Sequence, residues 1–242
     1  MNKSLYISPL CLEILLCSQE NINIYLPIED TLNTAEDNDI LYGIQELVNA
    51  GVLAPDSSGN GFDILSEARK CLRPIINPKA VLTIVTKELQ SSKVCYLANN
   101  EATVIEDAVN RSDKLRLTMT DRKSFSALVA ESFYTILPET ISEDSKLMDE
   151  VSNLPESDSV DSEILKIGLN NSTEEVAEKD EIVMVTDIFK PDFKIFSRII
   201  VYRTGLEDRF AVFSDKHSPE CFECDFNAFI NRFDLILEDL LC

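Results

Sequence analysis

Few side chains in this sequence are equipped for chemistry, and their spacing narrows the field further. Its one histidine, His217, opens the run H-S-P-E-C-F-E-C (His217 to Cys224). Cys221 and Cys224 have the C-x-x-C spacing of a zinc knuckle, and His217 would add an imidazole. A structural zinc needs four ligands, and the sequence holds no second C-x-x-C pair to supply them. Residues three apart in a strand also point to opposite faces, so the motif reads as small buried cysteines beside a hairpin. A Cys–His nucleophile would have to use the same His217, in a turn with Pro219 and Glu220. Gly59-Asn60-Gly61 is a turn without the Lys and Ser/Thr of a phosphate-binding loop. No catalytic residue, metal or cofactor is therefore expected, and the chain reads as a non-enzyme. The 43 Asp and Glu leave open only a carboxylate site assembled from distant positions.

Recognition is the chemistry the remaining residues suit. I-F-K-P-D-F-K-I-F (Ile188 to Phe196) sets three Phe around a Pro-Asp turn. Such a turn favours the surface, and aromatic residues there carry disproportionate binding energy. Phe189, Pro191 and Phe193 are accordingly the candidate partner-binding residues. Phe233 and Leu237 join them from the final helix, whose apolar face runs Phe226, Phe229, Ile230, Phe233, Leu237, Leu240 and Leu241. Most of that face must pack on a sheet. Arg69, Lys70 and Arg73, on a helix that follows two others, raise a winged-helix DNA reader as a third possibility; the acidity of the region argues against it.

The elements that must hold these residues come in two similar blocks. V-L-T-I-V-T-K-E (Val81 to Glu88) opens one and E-I-V-M-V-T-D-I (Glu181 to Ile188) the other, with Val85-Thr86 and Val185-Thr186 100 positions apart. Strands are expected over 81–86, 93–98, 102–109 and 114–120, then over 182–189, 193–202, 209–214 and 221–225. Each block closes with an Asp before a helical pattern, Asp121 and Asp225, placed to cap the free N–H groups. Residues 1–78 read as helices over 9–19, 35–50 and 65–76. The middle one carries Ile40, Leu41, Ile44, Leu47 and Val48 on one face, and Gly51 follows in the left-handed position that ends a helix. Residues 139–181 form an acidic segment in which Leu147, Val151 and Leu154 have helical spacing, with a further helical pattern over 162–169. The expected fold is α+β: a mostly antiparallel central sheet from two pseudo-symmetric halves with flanking helical layers. The halves are 1–138 and 182–242, joined by 139–181 in one compact unit.

Charge sets limits on partners. The net charge is −21, of which −11 falls within residues 139–181. Nucleic acid and anionic membrane are poor partners for such a surface. The opening residues contain one Lys, Glu13 interrupts their apolar run, and no small-residue cleavage site follows, so they read as a helix and not an export signal. Seven cysteines fit a reducing compartment, and a cytoplasmic protein is expected.

G-I-Q-E-L-V-N-A-G-V-L (Gly43 to Leu53) and G-F-D-I-L-S-E-A-R-K-C-L-R-P-I-I-N-P-K-A-V-L-T-I-V (Gly61 to Val85) carry a further signal. A helix ending in an L-x-x-x-G-V turn, a helix running to a Pro, then a first strand resembles the EspG-like chaperones of type VII secretion. The strands after it, the Asp121 helix ending I-L-P and a pseudo-symmetric second half continue the resemblance over most of the chain. Few glycines, no Trp and Lys/Asn/Ile-rich usage depart from the actinobacterial form and suit a firmicute accessory protein. The resemblance implies a cytoplasmic chaperone that binds helical secreted substrates through apolar contacts and keeps them soluble and secretion-competent. An acidic immunity protein masking a basic toxin is the alternative the charge favours.

Overall fold

The computed structural model describes residues 3–17, 32–86, 91–108, 111–134, 181–192, 194–204, 207–214, 217–223 and 225–241. The helical patterns expected over 139–181 lie outside the described residues, as does Phe193. In chain order the elements are β1 (Lys3–Ile7), α1 (Pro9–Cys17), a 3₁₀ turn at Leu32–Thr34, α2 (Asp37–Asn49), β2 (Leu53–Pro55), β3 (Phe62–Ile64) and α3 (Ser66–Ile76). There follow β4 (Ala80–Thr86), β5 (Ser91–Leu97), β6 (Glu101–Ala108), β7 (Arg111–Asp121) and α4 (Arg122–Tyr134). The second series is β8 (Glu181–Phe189), β9 (Ile195–Thr204), β10 (Glu207–Ser214), β11 (His217–Glu223) and α5 (Phe226–Leu241). These residues fall into two compact units, one of 1–85, 91–125 and 241, the other of 86–90, 126–240 and 242.

The first unit is a sheet in the order β1-β7-β6-β5-β4 with three helices. Apolar runs such as Ala80–Leu82 and Val94–Leu97 are buried, which is why these segments are strands. Residues 1–78 are not wholly helical. β1 pairs antiparallel with β7, Leu5 opposite Leu117, and β2 pairs with β3 across the Pro55–Gly61 turn. In that turn Asp56 Oδ1 accepts from the Ser58 and Asn60 N–H groups, and Gly59 takes φ +69°. α2 starts where Glu36 N–H donates to Asp39 Oδ2 at 3.0 Å and ends at Gly51, whose φ of +68° is the expected left-handed turn. α1 and α2 meet closely at Gly43: an added Cβ would lie 2.7 Å from Ile14 Cδ1, and Cys11 Sγ donates to the Gly43 carbonyl at 3.4 Å. α3 belongs to the same unit, since Thr103 Oγ1 on β6 donates to the Cys71 carbonyl at 2.7 Å. It is no detached winged helix.

The second unit is a sheet in the order β8-β9-β10-β11 with the helices that follow each block. Both sheet faces are apolar: Ile200, Tyr202, Ala211 and Phe213 form a buried cluster, while Phe210 turns toward α5. β11 runs from His217, earlier than the expected 221, and includes Pro219. An outer strand tolerates a residue without an N–H, because one of its edges needs no ladder bonds. His217 is thus a strand residue rather than part of a turn.

The duplicated element order is real. β4 and β8 each open a four-stranded series, and each series leads into an Asp-capped helix. Asp121 Oδ1 accepts from Ser124 N–H at 2.9 Å, and Asp225 Oδ1 from Ala228 N–H at 2.8 Å. The Ser124 hydrogen bonds hold the Asp121 carboxyl below its usual range.

Candidate partner-binding surfaces

β8 and β9 form the hairpin on which the aromatic turn sits. Lys190 N–H closes it on the Lys194 carbonyl at 2.9 Å, and Asp192 Oδ1 accepts from Lys194 N–H at 3.3 Å. Pro191 and Asp192 are exposed at the tip. Phe189, at the end of β8, is buried with 9% exposure. Lys190 Nζ lies 5.4 Å from the ring centroid of Phe196, within cation–π range. Two residues below the turn, Asp187 and Arg198 face each other across the ladder. Both are buried, and the guanidinium donates twice, Nε to Oδ1 at 2.5 Å and Nη2 to Oδ2 at 2.8 Å. This bidentate pair fixes the base of the hairpin, so the exposed tip is carried on a rigid stem.

α5 is organised by its phenylalanines. Phe229 meets Phe210 edge-on at 5.4 Å and stacks on Phe233 at 5.7 Å. Phe233 and Leu237 have no exposed surface, whereas Leu235 on the other side of the helix is 52% exposed. Ser126 of α4, itself fully buried, donates to the Asp234 carboxylate. Of the five sequence candidates, then, Pro191 is at the surface; Phe189, Phe233 and Leu237 point inward; Phe193 is outside the described residues.

A second surface was not anticipated. Leu41 and Tyr42 on α2 are 63% and 71% exposed. The sequence reading put Leu41 on the inward face; counted at about 100° per residue, it lies about 120° from the buried Leu47 and so outside the stripe. Beside Tyr42 a groove of about 370 Å³ is lined by Ser8, Leu10, Thr34, Asp39, Gly43 and Glu46, among others. Glu46 accepts from Lys114 Nζ at 2.7 Å and from Ser8 N–H at 3.3 Å. Burial pushes its carboxyl up, but these bonds outweigh burial and hold it below the usual range. The α3 cations are partly engaged: Arg69 with the Ile64 carbonyl, Lys70 with Glu67, Arg73 with Glu101.

Among the described residues no three His, Cys, Asp or Glu side chains converge as a metal set. Cys221 lies on β11 opposite Ala211, and Cys224 is outside the described residues. No helix among the described residues is long and apolar enough to cross a membrane.

No protein-family model matches the sequence, and no curated protein matches it. The fold has a counterpart among solved structures. The chain is similar to the Mycobacterium tuberculosis type VII secretion system chaperone EspG5, whose structure was solved in complex with a PE25-PPE41 dimer. The TM-score is 0.55 at 8% sequence identity, over 98% of this chain and 96% of that chain. The fold is therefore α+β and EspG-like.

Proposed function

We propose that this chain is a cytoplasmic chaperone or adaptor of a type VII secretion system, acting by binding and not by catalysis. The observation that carries the reading is the match of fold with EspG5 over 98% of this chain and 96% of that chain. In this reading a secreted helical substrate is this chain's counterpart of the dimer that EspG5 holds. The chain covers an apolar part of that substrate and keeps it soluble and competent for export. Contact is made by the β8–β9 tip, through Pro191 and Phe193. Phe189, Phe233 and Leu237 contribute from beneath, by holding the hairpin and α5 in the shape the substrate meets.

Co-expression with a helical secretion substrate and recovery of the complex tests this. Truncating an aromatic anchor costs a partner ~2 kcal/mol, about thirtyfold in affinity. Phe193→Ala is expected to reduce capture by that order with the fold unchanged by circular dichroism. The −21 charge favours the second reading, an inhibitor that masks a basic toxin. Salt separates the two: apolar capture barely responds, whereas a charge-driven inhibitor loses association rate steeply. Recovery of a toxin domain alone, released by moderate salt and indifferent to Phe193→Ala, would establish the inhibitor instead.

A further inference from the structure

The outward face of α2 combines two properties that seldom coexist without a partner. Asn38, Leu41, Tyr42, Gln45 and Asn49 follow one another around its solvent side, and all five are exposed. Leu41 and Tyr42 are the most exposed large apolar side chains among the described residues, at 63% and 71%. Among the described residues α2 meets α1 through Gly43 and buries Leu47, on sides of the helix other than this one. The face is also unbalanced in charge. From Ser4 to Ala68 the sequence holds eleven Asp and Glu and no Lys, Arg or His. Glu36, Asp37 and Asp39 surround the first turn of α2, and Asp39 and Glu46 line the groove beside Tyr42. Lys114 of β7 seats its ammonium on Glu46, one of the lining residues, at 2.7 Å, which shows the kind of group this side of the groove accepts.

We infer that this face docks a basic amphipathic helix of a protein partner. The apolar side of that helix covers Leu41 and Tyr42, and its Lys or Arg side chains meet Asp37, Asp39 and the groove. Charge complementarity selects this occupant. A second copy of the chain, carrying the same −21 and the same acidic face, would be repelled, and an acidic helix likewise. The inference goes beyond the substrate-holding role and does not depend on it: α2 lies in the first unit and the β8–β9 tip in the second.

The test uses the full chain and two synthetic probes, a Leu/Lys amphipathic helix of about five turns and its Leu/Glu counterpart with the same apolar face. Fluorescence anisotropy should show the Lys probe binding the wild type and the Glu probe failing to bind. Leu41→Ser/Tyr42→Ser should weaken the Lys probe on the order of tenfold, the loss expected for central apolar contacts. Asp37→Asn/Asp39→Asn should weaken it less and flatten its salt dependence. Leu235→Ser, which removes an exposed Leu from α5, should leave binding unchanged. Leu41→Ser/Tyr42→Ser alters exposed side chains, and its thermal midpoint should stay near the wild type. In Asp37→Asn/Asp39→Asn the amide oxygen can still accept the Glu36 N–H, and the loss should stay within the ~1 kcal/mol of a helix cap. Equal loss with Leu235→Ser, or no loss with the α2 variants, would reduce the binding to general attraction by an acidic protein and overturn the inference. So would binding of the Glu probe, or sedimentation showing self-association that Leu41→Ser/Tyr42→Ser abolishes, since the face would then belong to a second copy.

Discussion

The two strand series share an element order and differ in where they place their charges. In the first, Lys93, Glu106, Arg116 and Tyr6 stand opposite one another across β5, β6, β7 and β1. Glu106 sits between two cations, with Lys93 Nζ at 3.4 Å and a guanidinium hydrogen bond from Arg116, whose side chain is 40% exposed. Glu106 raises the Arg116 pKa further. In the second, the described side chains include a pair of another kind, Asp187 and Arg198, both buried. The same two charges thus do different things. Glu106 is as enclosed as Asp187, at 13% and 12% side-chain exposure, but water competes for the outer end of its row at Arg116, and that end adds little net energy. A dry pair contributes little by itself yet cannot be halved, since removing one member leaves the other charge uncompensated.

That contrast gives the largest expected effect. Asp187→Ala should lose about 3–5 kcal/mol in chemical denaturation, whereas Arg116→Ala, at the exposed end of the first row and leaving Glu106 its Lys93 partner, should lose about 1 kcal/mol or less. Replacing both partners, as Asp187→Leu/Arg198→Met, should recover most of the stability. Comparable losses at Asp187 and Arg116 would remove the distinction between the two series.

Next in size is a feature the two series have in common. Thr86 and Thr186 occupy matching positions at β4 and β8, are 2% and 0% exposed, and have hydroxyls without a hydrogen-bond partner among the described residues. An unsatisfied buried hydroxyl costs about 1–3 kcal/mol, and valine keeps the shape and the strand preference. Thr86→Val and Thr186→Val should therefore each raise the denaturation midpoint. A fall in either would mean that its hydroxyl is satisfied, and the likeness of the two positions would end there.

The helix caps allow a finer comparison. Asp225→Ala should cost about 1 kcal/mol, and Asp225→Asn much less, because the amide oxygen still accepts the Ala228 N–H. At Asp121 the readout is pH. Its folded pKa is lowered, chiefly by the Ser124 N–H, so its contribution is complete above the unfolded value of about 4. That contribution is lost as pH falls through the lower folded value. Asp121→Asn should flatten the acid limb of a thermal-midpoint titration, the smallest of these effects.

How much of this could be read from sequence depended on how local the cause was. The Asp121 and Asp225 caps were legible because a cap needs only its own next three residues. So were β4 and β8, whose apolar runs are buried on both faces. β1 was not: Ser4 and Tyr6 alternate with Leu5 and Ile7, but the run is short and owes its form to β7, over a hundred residues away. Pro219 concealed the start of β11, since nothing in the sequence says that this strand is an outer one. At the candidate surfaces, the Pro191–Asp192 turn was visible in its residues. The inward direction of Phe189, Phe233 and Leu237 was not, because an aromatic stripe looks the same whether it faces a sheet or a partner. Leu41 lies just outside the buried stripe that its neighbours suggest, and about 120° of rotation from Leu47 separates core from solvent.

β7 ends at Asp121 and α4 begins at Arg122, with no loop between them. A joint without slack behaves as a welded lever. The thirteen residues of α4 extend roughly 20 Å from that joint at the helical rise. A change of about 10° in the twist of β7 would therefore swing the far end of the helix by roughly 3 Å, a displacement as large as a hydrogen bond is long. Strain applied to one strand would be delivered, magnified, at the other end of the helix it leads into.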